Sequence, residues 1–242
     1  MSERNYWTKL GLVCWLVVLA AVWAVPASAL QLGSREVKQW IETLERPERI
    51  AGLKVDEIVA RLGLKPGLVV ADIGAGTGVF SRPMAKAVAP GGKVLAVDVD
   101  QGLLDYITQR AKQENIANIQ PVLGKFEDPN IPAQQVDLAF FHDVLHHIEN
   151  REAYLRNLVS YLKPDARIAL VEMDHNDMQT PHRDAPEMLL TQEQVDQWMV
   201  AIGFQQAQKF DLFPGKKWFV IYERKAVPPM PFDDMMDHGM HM

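Results

Sequence analysis

Residues 69–80 read VVADIGAGTGVF, and this stretch decides the fold that the sequence predicts. Its apolar start, from Leu68 to Ala71, is typical of a strand that is buried on both faces. The glycines at positions 74, 76 and 78 predict a tight turn in which a ligand can approach the backbone closely. Asp72 falls near the end of this strand, where ligands of open α/β sheets bind.

Strand-like and helix-like runs alternate from residue 35 to residue 225. The pattern predicts strands at 68–73, 93–98, 119–123, 136–141, 166–173, 205–211 and 217–224, with intervening helices that include 78–89, 101–114, 150–162 and 191–202. This alternation predicts an α/β fold with a doubly wound, mostly parallel, seven-stranded sheet. The short turn at Phe213-Pro214-Gly215 predicts that the last two strands form an antiparallel hairpin at one edge.

Composition bounds the number of domains and the kinds of partner. The 242 residues carry a formal net charge of −6 and show no Lys/Arg stripe, which argues against a nucleic-acid partner. The length fits one domain with terminal appendages. The only cysteine, Cys14, lies in the N-terminal apolar run, so disulfides, thiolate zinc sites and a cysteine nucleophile are excluded elsewhere.

Residues 1–29 have the layout of a secretory signal peptide. Arg4 and Lys9 precede an apolar run from Leu10 to Val25, and Pro26-Ala27-Ser28-Ala29 gives an A-x-A cleavage pattern. We therefore expect an exported protein, either periplasmic or anchored to the inner membrane through this segment, with its folded domain at 34–225. Basic residues also follow the apolar run, which leaves an anchor with a cytoplasm-facing domain as the alternative.

The glycine spacing separates two classes of cofactor. The dinucleotide fingerprint G-x-G-x-x-G would need a glycine where Val79 stands, so an NAD-dependent oxidoreductase is disfavoured. The carboxylate of Asp72 would attract a cationic ammonium group in a partly desolvated cleft. Asp98 ends the next strand, where a carboxylate can accept both hydroxyls of a ribose. S-adenosylmethionine combines these features.

Four motifs in order make the chain resemble the class I S-adenosylmethionine-dependent methyltransferases. They are VVADIGAGTGVF, GKVLAVDVD, VDLAFFHDVLHHI and YLKPDARIALVE, and the resemblance covers about residues 36–225. It implies a Rossmann-like methyltransferase fold and an enzyme that transfers a methyl group by in-line displacement to a small-molecule or envelope-associated substrate. Within the family, the chain looks closest to small bacterial predicted methyltransferases, some of which are exported.

The resemblance also implies cofactor-binding residues. They are Asp72, Gly74, Ala75, Gly76, Gly78, Asp98, Val99, Phe126 and His142. Asp72 would orient the methionine end, Asp98 would hold the ribose, and the backbone N–H of Phe126 would contact adenine. Lys125 stands where the family often has an acid that reads the adenine amine, which leaves Glu127 or Asp128 as a substitute.

Catalysis of methyl transfer rests mainly on alignment and desolvation, because the positive charge of the sulfonium already activates the donor. The candidates for the reacting centre are His142, Asp143 and Glu172, which lie at or just after predicted strand ends. The pair His146-His147 is interpreted as structural, because apolar residues flank it. The loop 174–190 is interpreted as a polar surface loop, with a substrate cover as the alternative.

The C-terminal segment 226–242 ends in VPPMPFDDMMDHGMHM and is rich in methionine and histidine. Thioether and imidazole ligands together suit Cu(I), so Met235, Met236, His238, Met240 and His241 are candidate copper ligands. A disordered polar tail is the other interpretation. The tail motivates a rival function, in which an exported, non-catalytic methyltransferase-like module binds copper. The sequence does not indicate an oligomeric state.

Overall fold

A computed structural model describes residues 36–132 and 135–225. The predicted signal segment at 1–29 and the methionine-rich tail at 226–242, with its candidate copper ligands, therefore lie outside the described residues. None of the helices in the two described ranges is both long enough and apolar enough to cross a bilayer.

Helices and strands alternate along the chain, as the sequence predicts. The elements are α1 (Val37–Leu44), α2 (Pro47–Gly52), α3 (Val55–Arg61), β1 (Val69–Ile73), α4 (Ser81–Val88), β2 (Lys93–Asp98), α5 (Gln101–Gln113), β3 (Ile119–Leu123), β4 (Val136–His142), α6 (Arg151–Val159), β5 (Leu162–Met173), α7 (Gln192–Ala201), β6 (Phe204–Phe213) and β7 (Lys217–Arg224). Short 3-10 helices at Leu145–His147 and Pro186–Met188 lie in the loops after β4 and β5.

The strands form one seven-stranded sheet in the order β3-β2-β1-β4-β5-β7-β6. Strand β1 pairs in parallel with β2 on one side and β4 on the other, while β7 runs antiparallel to both β5 and β6. The predicted doubly wound sheet and its edge hairpin are therefore confirmed. The winding changes direction between β1 and β4, and in such sheets a crevice opens at the carboxyl ends of the strands that flank this point.

The central strands are buried on both faces, and successive residues enter different apolar clusters. Val70 and Phe140 belong to the cluster on the side of α3 and α4, whereas Ala71 and Phe141 belong to the cluster on the side of α6 and α7. This explains why β1 and β4 read as continuous apolar runs rather than as alternating patterns. The edge strand β6 is mostly exposed and polar, which suits an unpaired edge.

Three boundaries differ from the sequence prediction by three residues or more. The helix expected at 78–89 begins only at Ser81, because Gly78 adopts a positive φ of 74° that an α-helix does not accommodate. The helix expected at 150–162 ends at Val159, and β5 begins at Leu162 rather than near 166. Leu162 pairs with Val136 of β4, and a register shift follows in the pairing, so the strand extends past its polar start.

Helix α1 lies across the crevice, and two glycines allow its close approach. A methyl group at Gly102 would lie 2.6 Å from Cγ2 of Val37, and one at Gly76 would lie 3.2 Å from Cδ1 of Leu44. No side chain of α1 is fully buried, so this helix covers the crevice rather than contributing to the core.

Replacing Gly74 by alanine is expected to lower the free energy of unfolding through both backbone strain and a clash. Gly74 has a φ of 68°, and a methyl group there would lie 2.4 Å from Cγ2 of Val144. Gly215 has the same φ of 68° with no atom within 4 Å, so Gly215→Ala is the matched control for strain alone. We expect Gly74→Ala to destabilise the fold by at least about 1 kcal/mol more than Gly215→Ala in urea unfolding. Equal losses for the two variants would show that Val144 does not restrict this position.

Candidate active site

A cleft in two parts opens at the carboxyl ends of β1, β2 and β4. The first cavity has a volume of about 180 Å³ and the second about 100 Å³. The residues that line both cavities, and so form the partition between them, are Leu44, Gly74, Gly76, Asp143 and Val144. The glycine turn after β1 and the loop after β4 therefore meet in the middle of the cleft.

The first cavity has largely apolar and aromatic walls with a carboxylate among them. Its lining includes Trp40, Leu103, Phe126, Tyr154 and Asp98. Asp98 Oδ2 accepts a hydrogen bond from the Gly76 N–H at 2.8 Å, and Oδ1 accepts one from the Asp100 N–H at 3.0 Å. Burial raises the pKa of Asp98. Each carboxylate oxygen has a second lone pair, so the fixed Asp98 can still accept from hydroxyl groups of a ligand.

The second cavity has a buried acid in its wall. Asp72 is 3% exposed and accepts a hydrogen bond from the hydroxyl of Ser81 at the start of α4. Burial raises the pKa of Asp72 to about 7, the bond from Ser81 opposes that rise, and the charge of Asp98 adds to it. The carboxyl of Asp72 is therefore poised to ionise when a cation enters the cavity.

A basic group and a hydroxyl share the second cavity with Asp72. Arg49, just beyond the start of α2, lines the cavity and donates from Nη1 to the Leu44 carbonyl oxygen at 3.0 Å. Burial lowers the pKa of Arg49 below the usual value of a guanidinium. The buried Oγ1 of Thr77 lines the same space and has no hydrogen-bond partner among the described residues. An acid, a guanidinium and a free hydroxyl together suit the ammonium and carboxylate of an amino acid.

An ion pair and an imidazole lie beside the partition. Lys217, the first residue of β7, donates to the Asp143 carboxylate, and its Nζ lies 3.5 Å from Nε2 of His142. Burial alone would raise the pKa of Asp143, but the neighbouring His142 and Lys217 hold it at about 2. Burial lowers the pKa of His142 to about 3. At neutral pH this part of the cleft therefore contains a neutral imidazole next to a closed ion pair.

The backbone of the loop after β4 is held by the buried carboxylate of Glu172, near the end of β5. Glu172 Oε1 accepts hydrogen bonds from the N–H groups of Val144 at 3.0 Å and Leu145 at 2.6 Å. Glu172 Oε2 lies 2.7 Å from Nδ1 of His146. The loop leaves β4 through Asp143, whose φ of 53° is rare for a residue with a side chain. These bonds fix a strained loop that carries Val144 to the partition.

Most of the predicted cofactor residues line the cleft. They are Asp72, Gly74, Ala75, Gly76, Asp98, Val99, Phe126 and His142, and the predicted catalytic residue Asp143 also lines it. Gly78 lines neither cavity: its N–H donates to the Ala75 carbonyl oxygen at 2.8 Å, so it shapes the turn. Glu172 also lines neither cavity, and both of its oxygens are engaged, so it is the least suited of the three predicted catalytic residues to act as a base.

The part of the cleft that the resemblance assigns to adenine lacks the acidic residue that the sequence suggested there. Lys125 and Phe126 line the first cavity, whereas Glu127 and Asp128 do not. Asp128 instead accepts a hydrogen bond from the Tyr161 hydroxyl at 2.7 Å, and neither of these residues lines the first cavity. The expectation that Glu127 or Asp128 replaces the missing acid is therefore not supported by their positions.

Sequence reasoning missed several residues that the fold brings to the cleft. The sequence around Trp40 and at 44–49 is compatible equally with a cover over the cofactor and with core packing, and the structure places Trp40 and Arg49 in the cleft walls. Thr77 lies inside the glycine turn, but its hydroxyl carried no signal of its own. Lys217 follows the predicted hairpin turn, and only the reversed direction of β7 brings it to this edge of the sheet.

The comparisons with known proteins agree with the fold and the cleft. Residues 70–165 match the family model described as a methyltransferase domain, from β1 to the start of β5. The chain is 31% identical over 111 residues to a ubiquinone/menaquinone biosynthesis C-methyltransferase from Ectopseudomonas mendocina (strain ymp). This match covers 46% of the chain and 43% of the relative, so the chain spans less than half the length of that curated relative.

Solved structures share the architecture at low sequence identity. A SAM-dependent methyltransferase from Aquifex aeolicus is 20% identical with a TM-score of 0.70, covering 79% of this chain and 100% of that one. A Bordetella parapertussis protein described as a possible exported protein is 19% identical with a TM-score of 0.60, covering 75% of this chain and 71% of that one. Together with the domain match, these findings confirm the resemblance to class I S-adenosylmethionine-dependent methyltransferases.

Asp72 is expected to reduce the stability of the protein without ligand as the pH rises from about 4 to about 7. The folded state raises the pKa of Asp72 from 3.8 to about 7, so it keeps a proton that the unfolded chain releases. The loss due to this group is on the order of a few kcal/mol, while buried neutral histidines such as His142 act in the opposite direction below about pH 6.5. Asp72→Asn cannot titrate, so its free energy of unfolding relative to that of the wild type should increase between pH 5 and pH 8, as measured by urea unfolding. The exposed Asp105→Asn should keep the wild-type slope, and a wild-type slope in Asp72→Asn would contradict the assignment.

Proposed function

We propose that this protein is an S-adenosylmethionine-dependent methyltransferase that acts on a small-molecule acceptor. One observation carries the proposal: a cavity that contains both the buried Asp72 and the guanidinium of Arg49 adjoins an apolar cavity that contains Asp98. Asp72 and Arg49 in the second cavity match the two charges of a methionine end, and the first cavity matches a nucleoside. The methyltransferase domain at residues 70–165 supports the same conclusion.

The residues present fit this cofactor in detail. The carboxyl of Asp72 would hold the ammonium group, and Arg49 with the unpartnered Thr77 hydroxyl would hold the carboxylate. Asp98 would accept the ribose hydroxyls between the aromatic walls of the first cavity. Gly74 and Gly76 lack side chains at the partition, so the backbone can lie directly against the ligand where the two cavities meet.

Methyl transfer needs a donor, an aligned acceptor and a route for any proton that the acceptor loses. S-adenosylmethionine supplies an electrophilic methyl group on a positively charged sulfur when it is bound. His142 lines the cleft as a neutral imidazole that can orient an acceptor through a hydrogen bond, but a pKa of about 3 makes it a poor base for removing the acceptor's proton. Lys217 forms an ion pair with Oδ2 of Asp143 beside it, and Oδ1 of Asp143 is buried without a hydrogen-bond partner among the described residues.

We also propose that the domain acts outside the cytoplasm, on an acceptor of the cell envelope. The basic start, apolar run and A-x-A pattern of residues 1–29 support export. The absence of cysteine from residues 30–242 suits an oxidising compartment. The fold is also shared with the Bordetella protein described above.

The rival proposal is a non-catalytic module that binds copper through its tail. Five of the eleven methionines fall in the last thirteen residues together with His238 and His241, and this composition favours a soft ion such as Cu(I). In this case the methyltransferase-like domain would bind a ligand or partner without turnover.

Titration calorimetry on the full chain with S-adenosylmethionine tests the cofactor proposal. Asp72→Asn and Arg49→Gln each remove a charged partner of the methionine end and should weaken binding about 10- to 100-fold. Arg46→Gln, an exposed arginine three residues away, should bind like the wild type. Decarboxylated S-adenosylmethionine lacks the group assigned to Arg49, so its affinity should be the same for wild type and Arg49→Gln.

The same protein titrated with Cu(I) discriminates the rival. Heat with S-adenosylmethionine that disappears in Asp72→Asn supports the enzyme. Tight Cu(I) binding without any binding of S-adenosylmethionine supports the copper module and contradicts the methyltransferase proposal.

Export is expected to place the domain outside the cytoplasm in the natural host. A C-terminal fusion to alkaline phosphatase, which is active only when exported, should be active, and deletion of residues 1–29 should abolish that activity. A fusion to a reporter that works only in the cytoplasm serves as the matched control. Activity of the cytoplasmic reporter alone would contradict the export proposal.

A further inference from the structure

Three histidines from two separate loops come together beside the cleft. His146 and His147 belong to the 3-10 helix after β4, and His182 belongs to the loop between β5 and α7. Each offers a ring nitrogen, and the three nitrogens all lie within 4.8 Å of one another. The ring centroid of His146 lies 4.2 Å from that of His147 and 5.0 Å from that of His182.

The orientation of His146 leaves one nitrogen available for a ligand. Its Nδ1 lies 2.7 Å from Glu172 Oε2, and an ionised carboxylate can only accept a hydrogen bond, so this nitrogen carries the proton. The other nitrogen, Nε2, then has its lone pair free, and it is buried without a hydrogen-bond partner among the described residues. A carboxylate behind an imidazole in this way is the arrangement that orients histidine ligands in metal sites.

His147 has a second unsatisfied nitrogen in the same place. Its Nδ1 is buried and has no partner within the described part of the chain. A buried polar atom without a partner costs roughly 1–3 kcal/mol, so two of them side by side are unfavourable in a purely structural cluster.

We propose that His146, His147 and His182 form a binding site for a divalent transition-metal ion of the zinc class. Three imidazole nitrogens with one open position match the ligand set of open zinc sites. Nitrogens at about 2.1 Å from a tetrahedral ion are roughly 3.4 Å apart, so the cluster needs only to contract by about 1 Å. Glu172 contributes a carboxylate behind His146. The guanidinium of Arg151 holds the backbone of the same 3-10 helix, because it donates to the carbonyl oxygens of Leu145 and His146.

The ion would join the loop 174–190 to the loop after β4. Arg151 already connects these loops, because its Nη2 donates to the carbonyl oxygens of His146 at 2.8 Å and Glu187 at 3.0 Å. His182 precedes Glu187 in the same loop. An ion bound by His182, His146 and His147 would therefore be a second connection between the two loops. His147 also lines the first cavity, so the bound ion would fix this loop at the wall of the cleft. The metal site does not depend on methyl transfer.

Zinc binding to the full chain tests the proposal. His238→Ala and His241→Ala are introduced together so that the tail does not contribute imidazole ligands. Equilibrium dialysis against Zn²⁺, with metal counted by mass spectrometry, should give one ion per chain. His182→Ala should weaken this binding at least 100-fold, since losing only a hydrogen-bond partner behind a ligand costs about 10- to 100-fold. His175→Ala, which changes a partly exposed histidine of the same loop, is the control and should bind as before.

A second measurement follows the loop directly. Arg183 is next to His182 and offers a tryptic cleavage site, so Zn²⁺ should slow cleavage after Arg183 at least 10-fold. The protection should be lost in His182→Ala and in His147→Ala, and retained in His175→Ala. The proposal is overturned if the folded protein binds no Zn²⁺, or if His182→Ala binds Zn²⁺ with unchanged affinity. A decrease confined to His182→Ala and His147→Ala, with native circular dichroism in both variants, supports it.

Discussion

The buried carboxylate of Glu172 holds the loop after β4, and the rest of the cleft is arranged around that loop. Its two oxygens receive the N–H groups of Val144 and Leu145 and the Nδ1–H of His146. Hydrogen bonds to a buried charge contribute about 1.5–3 kcal/mol each, enough to offset the backbone strain at Asp143. Because this loop is fixed, Val144 can press against Gly74 and divide the cleft, and His146 is held in one orientation.

Opposite charges on different elements give the cleft its selectivity. Asp72 comes from the central strand, whereas Arg49 comes from the short helices that precede the sheet. Both are substantially buried, and burial opposes the charged form of each. A ligand that carries both charges relieves both penalties at once, whereas a ligand with only one leaves the other group unpaired. This arrangement favours a zwitterion over a simple cation or anion of the same size.

The sequence predicted the parts of the structure that are encoded within a few residues. Asp72, the glycine turn and Asp98 belong to short motifs whose spacing follows from strand ends and tight turns, and the doubly wound, mostly parallel sheet follows from the βα alternation. Arg49, Lys217 and His182 reach the site from distant parts of the chain. No local pattern marks them, because their partners are chosen by the tertiary fold. The flanking apolar residues indicate a structural role for the histidine pair at 146–147, and the sequence gives no sign of His182 beside it because His182 lies 35 residues beyond His147.

Because β7 runs in the reversed direction, the part of the cleft beside His142 depends on the turn between β6 and β7. Every other strand has its carboxyl end at the edge of the sheet where the cleft opens, whereas β7 begins at this edge with Lys217, after the turn from β6. Insertions or deletions in that turn would shift the ammonium group relative to His142 without altering β1 or β2. Related chains could therefore diversify their acceptors at this hairpin while the nucleoside half of the cleft stays constant.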